Sequence, residues 1–206
     1  MKRRRQMHPL PKAGVMTERA PGTGERVSRA LLYALAAAAI VWAASELLEI
    51  ALAGRTALTL WLTAAFHLLM VPGVQGAQAV RAGGHGLLSR GAATMASLGY
   101  LFLVVPPLAV ARTPEVTILD FMGANPLFRV AGALAVLGTM LFGIAILRAR
   151  SCPAWVGIAL VVCPAIFSAV MGSGGPDVVA VVANLVQAGA WMTIASRGLR
   201  RRRVVA

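Results

Sequence analysis

The chain carries six apolar stretches, each long enough to cross a lipid bilayer, and this repetition leaves few folds open to it. They cover residues 29–53, 57–80, 87–111, 126–148, 153–173 and 176–196, and most of the connectors are a few residues long. About 20 apolar residues in a helix span the hydrocarbon core, where helices and closed barrels alone satisfy every backbone polar group. The predicted fold class is therefore all-α: a polytopic transmembrane bundle of six helices. Composition agrees, since 58% of the 206 residues are apolar and 13% charged, against about 45–50% and about 25% in soluble domains. That excludes a soluble enzyme, a secreted disulfide scaffold and a disordered chain.

A net charge of +13 invites a nucleic-acid reading, and the placement of the charges argues against it. Eight of the 20 basic residues precede residue 30, five lie in 197–203, and two lie in each of the segments 81–90 and 148–150. With the N-terminus cytoplasmic, all of these fall on one side, and Arg55, Arg112 and Arg129 are left on the other. This is the asymmetry of the positive-inside rule; it predicts an even number of crossings with both termini cytoplasmic. Membrane lipids, not nucleic acid, are the expected partners of the two basic clusters. The 18 Arg against 2 Lys, beside long Ala runs, point to a GC-rich bacterial genome and a bacterial plasma membrane.

Residues 1–28 combine Pro, Gly and basic side chains without apolar periodicity and read as a disordered basic cytoplasmic tail. Residues 29–196 form the six-helix transmembrane domain, and 197–206 a second basic cytoplasmic tail. Met16 is an alternative start. A rival reading of the first span is a signal sequence cleaved after Ala51-Leu52-Ala53, against which Glu46 and Glu49 stand just before the site. In the long loop 112–125, the apolar run from Val116 to Met122, with Glu115 and Asp120, predicts a short helix along the outer interface. Pro72, Pro106, Pro107 and Pro164 are expected to bend the spans that hold them. Trp61 and Trp155, near span ends, suit interfacial anchors.

Ionisable groups inside the hydrocarbon are costly and mark functional sites by default. Glu46, Glu49 and His67 are the candidates. The two carboxylates are three residues apart and share a helix face; Glu46 lies about 6 Å outward from the middle of its span. His67 is close to the midpoint of the second span, which a tight turn makes the antiparallel neighbour of the first. On that span Thr63, His67 and Gln78 share an arc, with Gln75 at its edge, and form an inward polar stripe. In the sixth span Asp177, Asn184, Gln187 and Trp191 recur on one face, with Asp177 placed to cap the helix start.

Two accounts fit these positions. In one, Glu46 and His67 form a buried hydrogen-bonded pair locking two helices, with Asn184 and Gln187 as interhelical glue at about 0.6 kcal/mol each. In the other, a small polar cavity opens outward between the first, second and sixth spans. There Glu46, Glu49 and His67 carry acid–base chemistry, and Trp42, Thr63, Gln75, Gln78, Asn184 and Gln187 line the ligand. Trp42, one turn before Glu46, projects from the same side and offers a face to a cation.

Small residues at four-residue spacing in the fourth span, Ala131, Ala135, Thr139 and Gly143, predict close helix approach and a surface for a homo-oligomer. Cys152 and Cys163 stand about 16 Å apart along a helix, beyond disulfide reach. A mixed site of His67, Met70, Glu46 and Glu49 lacks HxxxH or CxxC spacing, so no metal and no cofactor are predicted. The run Arg81-Ala82-Gly83-Gly84-His85-Gly86 lacks the GK[ST] ending of a phosphate-binding loop.

Acidic residues late in the first span, Trp61 leading to Ala65-Phe66-His67, and the Gly-rich inner loop form one half of a familiar pattern. The other half is Leu141-Phe142-Gly143-Ile144-Ala145-Ile146-Leu147-Arg148-Ala149 followed by Pro153-Ala154-Trp155-Val156-Gly157. In these features the chain resembles a family of uncharacterised actinobacterial six-helix integral membrane proteins, a domain of unknown function. The resemblance implies six helices and a plasma membrane address, and no activity. Three functional classes stay open: a binder of a small ligand or lipid, or a membrane-complex subunit; an intramembrane enzyme using a Glu general acid on an isoprenoid or lipid; and a proton-coupled transporter.

Overall fold

Ala- and Leu-rich runs with few interruptions give helices throughout, and the polar residues between them set the ends. A computed structural model describes residues 23–113, 115–173 and 177–203. The elements are α1 (Thr23–Ala51), α2 (Ala57–Ala79), α3 (Leu87–Leu103), α4 (Val105–Val110), α5 (Ile118–Ala124), α6 (Pro126–Ala149), α7 (Ala154–Ser173) and α8 (Asp177–Arg203). Thr56 caps α2 by accepting from the Thr59 backbone N–H, and Thr59 returns the bond to the Thr56 N–H at 2.9 Å. Arg150, in the left-handed region at φ 50°, ends α6.

Six segments are long and apolar enough to cross a membrane, with α3 and α4 counting as one; the protein is a multi-pass membrane protein. The break at Val104 follows from Pro106 and Pro107, which lack the N–H groups that would continue the ladder. α5 is the short helix expected in the long loop. Thr117 caps its start, and Arg129 donates to the carbonyls of Gly123 and Met122 at its end.

Two boundaries differ from the sequence reading. α1 already includes 23–28, where the Glu25–Arg29 ion pair at 2.7 Å, one turn apart, supports a helix through charged residues assigned to the tail. α8 likewise runs on to Arg203, through residues assigned to the second tail. Residues 1–22, with the proposed start at Met16, and the side chain of Asp177 lie outside what is described.

The helices close into a ring. α1 packs on α2, α2 on α3, α3 on α6, α6 on α7, α7 on α8, and α8 returns to α1. The start of α1 and the end of α8, with the α2–α3 and α6–α7 turns, lie on one face, here called the terminal face. The α1–α2 turn and α5 lie on the other, the distal face. Small residues hold the seams. A Cβ on Gly99 would stand 2.3 Å from the Ala135 backbone nitrogen, and one on Gly138 would stand 2.4 Å from that of Ala96. α3 and α6 therefore meet backbone to backbone, as small residues permit in lipid.

The stripe of Ala131, Ala135, Thr139 and Gly143 is buried in these contacts. Its first three members face α3, and Gly143 meets Gly157 and Leu160 of α7. The stripe is thus not the open surface for a second copy that the sequence suggested, because the chain's own helices cover it. Large apolar side chains instead point outward, among them Leu58, Leu68, Leu137 and Val182, as a lipid-facing surface requires. Trp61 and Trp155 are half-exposed at the starts of α2 and α7, one toward each face of the bundle.

Candidate functional site

Six helices in a ring, with small residues at the seams, do not fill the middle of the distal half. A cavity of about 690 Å³ lies there, lined by side chains from every long helix and from α5. Trp42, Phe66, His67, Tyr100 and Gln187 lie at its mid-helix end, and Glu49, Arg55, Met122 and Arg129 at its distal end. The exposed side chains of Ala133 and Leu137 on α6 and Ser168 on α7 also line it. Arg55, Leu119 and Arg129 at the distal end are exposed as well, so the cavity's lining reaches the surface both there and along the distal halves of α6 and α7.

Glu46 is the polar centre. Its Oε1 accepts from Asn184 Nδ2 at 2.7 Å and from Trp42 Nε1 at 3.1 Å. The first bond ties α1 to α8 across the ring closure, and the second runs one turn along α1. Glu49 turns away to Arg55, with Nε to Oε2 at 3.3 Å, and Arg129 is engaged by the α5 carbonyls. Among the described residues Glu46 has two neutral donors and no cationic partner within ion-pair distance.

His67 lines the same cavity without pairing to Glu46, so the direct pair considered from the sequence is not formed. The imidazole is set instead against the backbone carbonyl of Leu103. Pro107 stands four residues on and cannot supply the helical N–H to that carbonyl, which leaves it for a side chain. The His67 Nδ1 is buried and has no hydrogen-bond partner among the described residues. An orphaned buried polar atom costs about 1–3 kcal/mol and calls for an explanation.

Around these groups the rings of four residues touch. Trp42 stacks on Phe66 with centroids 4.4 Å apart; Phe66 meets Tyr100 edge-on at 5.7 Å; and His67 lies 5.0 Å from Phe66 and 5.9 Å from Tyr100. The Tyr100 and Thr139 hydroxyls share a hydrogen bond of 3.1 Å between α3 and α6. Ser45 and Thr63 do the same between α1 and α2 at 3.3 Å, and Ser45 also donates to the Thr59 carbonyl.

Of the residues singled out from the sequence, Trp42, Glu46, Glu49, Thr63, His67, Asn184 and Gln187 line the cavity together. Gln75 and Gln78 do not. Gln75 donates to Ser97 at 2.9 Å, and Gln78 accepts from Ser89, so both join α2 to α3 nearer the terminal face. The cavity is also larger and more apolar than the pocket expected between three helices. Phe66, Tyr100, Met122 and the proline pair complete it. Of these only Pro106-Pro107 gave a sequence signal, as carbonyls left without helical donors. Met70, weighed as a metal ligand, is fully buried in the core, and no group of three or more His, Cys, Asp or Glu converges among the described residues. Comparison with protein-family models, curated proteins and solved structures gives no match to the chain.

Proposed function

We propose that the protein binds a small, largely apolar molecule or lipid within the membrane, in the distal cavity, with its polar end toward Glu46. The observation that carries this reading is the cavity of about 690 Å³, whose largely apolar wall gathers Glu46, His67, Asn184 and Gln187 toward mid-helix depth and Glu49, Arg55 and Arg129 at its distal end. Small-molecule sites have this character: several hundred Å³, apolar lining and a few convergent polar groups. The exposed lining along the distal halves of α6 and α7 suits entry from lipid. With the basic residues gathered at the terminal face, the positive-inside rule supports cytoplasmic termini, a bacterial plasma membrane address and a cavity on the outer side.

A second reading, an intramembrane enzyme acting on an isoprenoid or lipid, draws on the unpartnered Nδ1 of His67. There Glu46 would be the general acid, and His67 would act on the substrate rather than through Glu46, since the two side chains do not pair.

Native mass spectrometry of gently purified wild type, Glu46→Gln and His67→Ala tests the binding reading. A defined small molecule retained by wild type and lost from Glu46→Gln supports it and gives the ligand's mass. Ligand-free protein in all three, with both variants less stable to heat, overturns it and leaves Glu46 and His67 as structural residues. Turnover of a bound lipid by wild type, absent from the variants, favours the enzyme.

A further inference from the structure

From the surroundings of Glu46 we infer that the ligand of the distal cavity is a lipophilic cation, an ammonium-type or comparable organic cation with an apolar body. This rests on the binding reading above and narrows it to a charge class. Of the charged side chains lining the cavity, two form an ion pair and a third is held by backbone carbonyls. Arg55 answers Glu49 at 3.3 Å, and Arg129 lies on the carbonyls of Met122 and Gly123. Glu46 alone faces the cavity with neutral hydrogen-bond donors, both on Oε1. A carboxylate in the membrane interior pairs with a partner or serves an ion or substrate path, and here no cationic side chain among the described residues stands within ion-pair distance of it.

The aromatic rings agree with a cation. Trp42 donates its N–H to Glu46 Oε1 at 3.1 Å, which sets the indole beside the carboxylate with its N–H edge turned toward it. Phe66 and Tyr100 follow within ring-contact distance. Aromatic faces beside a carboxylate are the recurrent means of holding organic cations, and the contribution of the rings grows as water is excluded. A free phosphate or an anionic headgroup at the mid-helix end would face Glu46, since Arg55 and Arg129 both stand at the distal end. A neutral isoprenoid would leave the asymmetry between Glu46 and Glu49 without a purpose.

The test measures saturable binding of tetraphenylphosphonium and of the neutral, similarly shaped triphenylphosphine oxide to purified protein in detergent. Wild type, Glu46→Gln and Trp42→Leu are compared, with folding checked by thermal unfolding. Wild type is expected to bind the cation at one site per chain and at least tenfold more tightly than the neutral probe. Glu46→Gln should lose tenfold or more for the cation and change less than twofold for the neutral compound. Trp42→Leu should lose several-fold for the cation, and it serves as the test if Glu46→Gln does not fold. Equal affinity of wild type for both probes, or cation binding unchanged in the folded variants, overturns the charge class while the cavity reading stands. Binding of neither probe by folded wild type overturns both.

Discussion

Gly99→Ala should destabilise the protein while Gly91→Ala, on the same helix, should not. The added methyl at residue 99 would lie 2.3 Å from the Ala135 nitrogen, 2.7 Å from the Ala131 carbonyl oxygen and 2.7 Å from the Ala135 Cα. All three are backbone atoms of α6, so no side chain can rotate aside. Restoring ordinary contact requires α3 and α6 to part locally by about 1 Å, which forfeits a quarter to a half of each dispersion contact along that part of the seam. Overpacking of this kind costs about 1–3 kcal/mol. At Gly91 nothing lies within 4 Å of the added methyl, and Ala there gains up to about 1 kcal/mol in helix propensity. Unfolding in mixed micelles with increasing dodecyl sulfate, followed by Trp fluorescence, reads the difference directly. Gly99→Ala should unfold at clearly lower dodecyl sulfate than wild type, and Gly91→Ala at equal or higher. Equal midpoints for the two variants would refute the backbone-to-backbone seam.

Gln75→Leu removes the bond to Ser97 and should cost about 0.6 kcal/mol of stability without changing ligand retention, since Gln75 lies outside the cavity; loss of binding would contradict that placement. Arg129→Ala frees the carbonyls at the end of α5 and should raise hydrogen exchange across residues 118–124 while the other helices keep their protection; uniform exchange would show that Arg129 does not hold α5. In a variant with Cys152 and Cys163 replaced by Ala, a single cysteine at the exposed residue Thr113 should react with an impermeant thiol reagent on intact cells. One at the exposed Gly86 should react only after permeabilisation, and the reverse pattern would overturn the proposed orientation.

Length and apolarity made the six spans legible, since lipid permits one answer to a run of that kind. Adjacent spans were legible as neighbours, and the polar residues that put the first, second and sixth spans around one cavity pointed to the closure of α1 on α8, which Asn184 and Glu46 make. Apolar faces, interchangeable in sequence, carried no such signal. Polar residues among apolar ones marked Glu46, His67, Asn184 and Gln187 well, because each is costly wherever it has no use. The arc drawn through Thr63, His67 and Gln78 failed because it joined two ends of a helix that serve different neighbours: its first half faces the cavity and its second half faces α3. The acceptor of His67 was hidden for another reason. It is a backbone carbonyl, and only the proline four residues later hinted that it was free. The stripe on α6 was read correctly as a close-packing device, but sequence does not distinguish a helix of the same chain from one of another copy.

The hydrogen bond between Asn184 and Glu46 spans 138 residues, and that separation has a temporal meaning. At about 5–20 residues synthesised per second, the first helix pair precedes its final partner by roughly 7–30 s. Over that interval Glu46 has one of its two donors, the indole of Trp42 on its own helix, and waits for the other. The nascent protein therefore carries a half-satisfied carboxylate at membrane depth until its last helix is inserted. A chain truncated before α8 should be the form that quality-control proteases remove fastest.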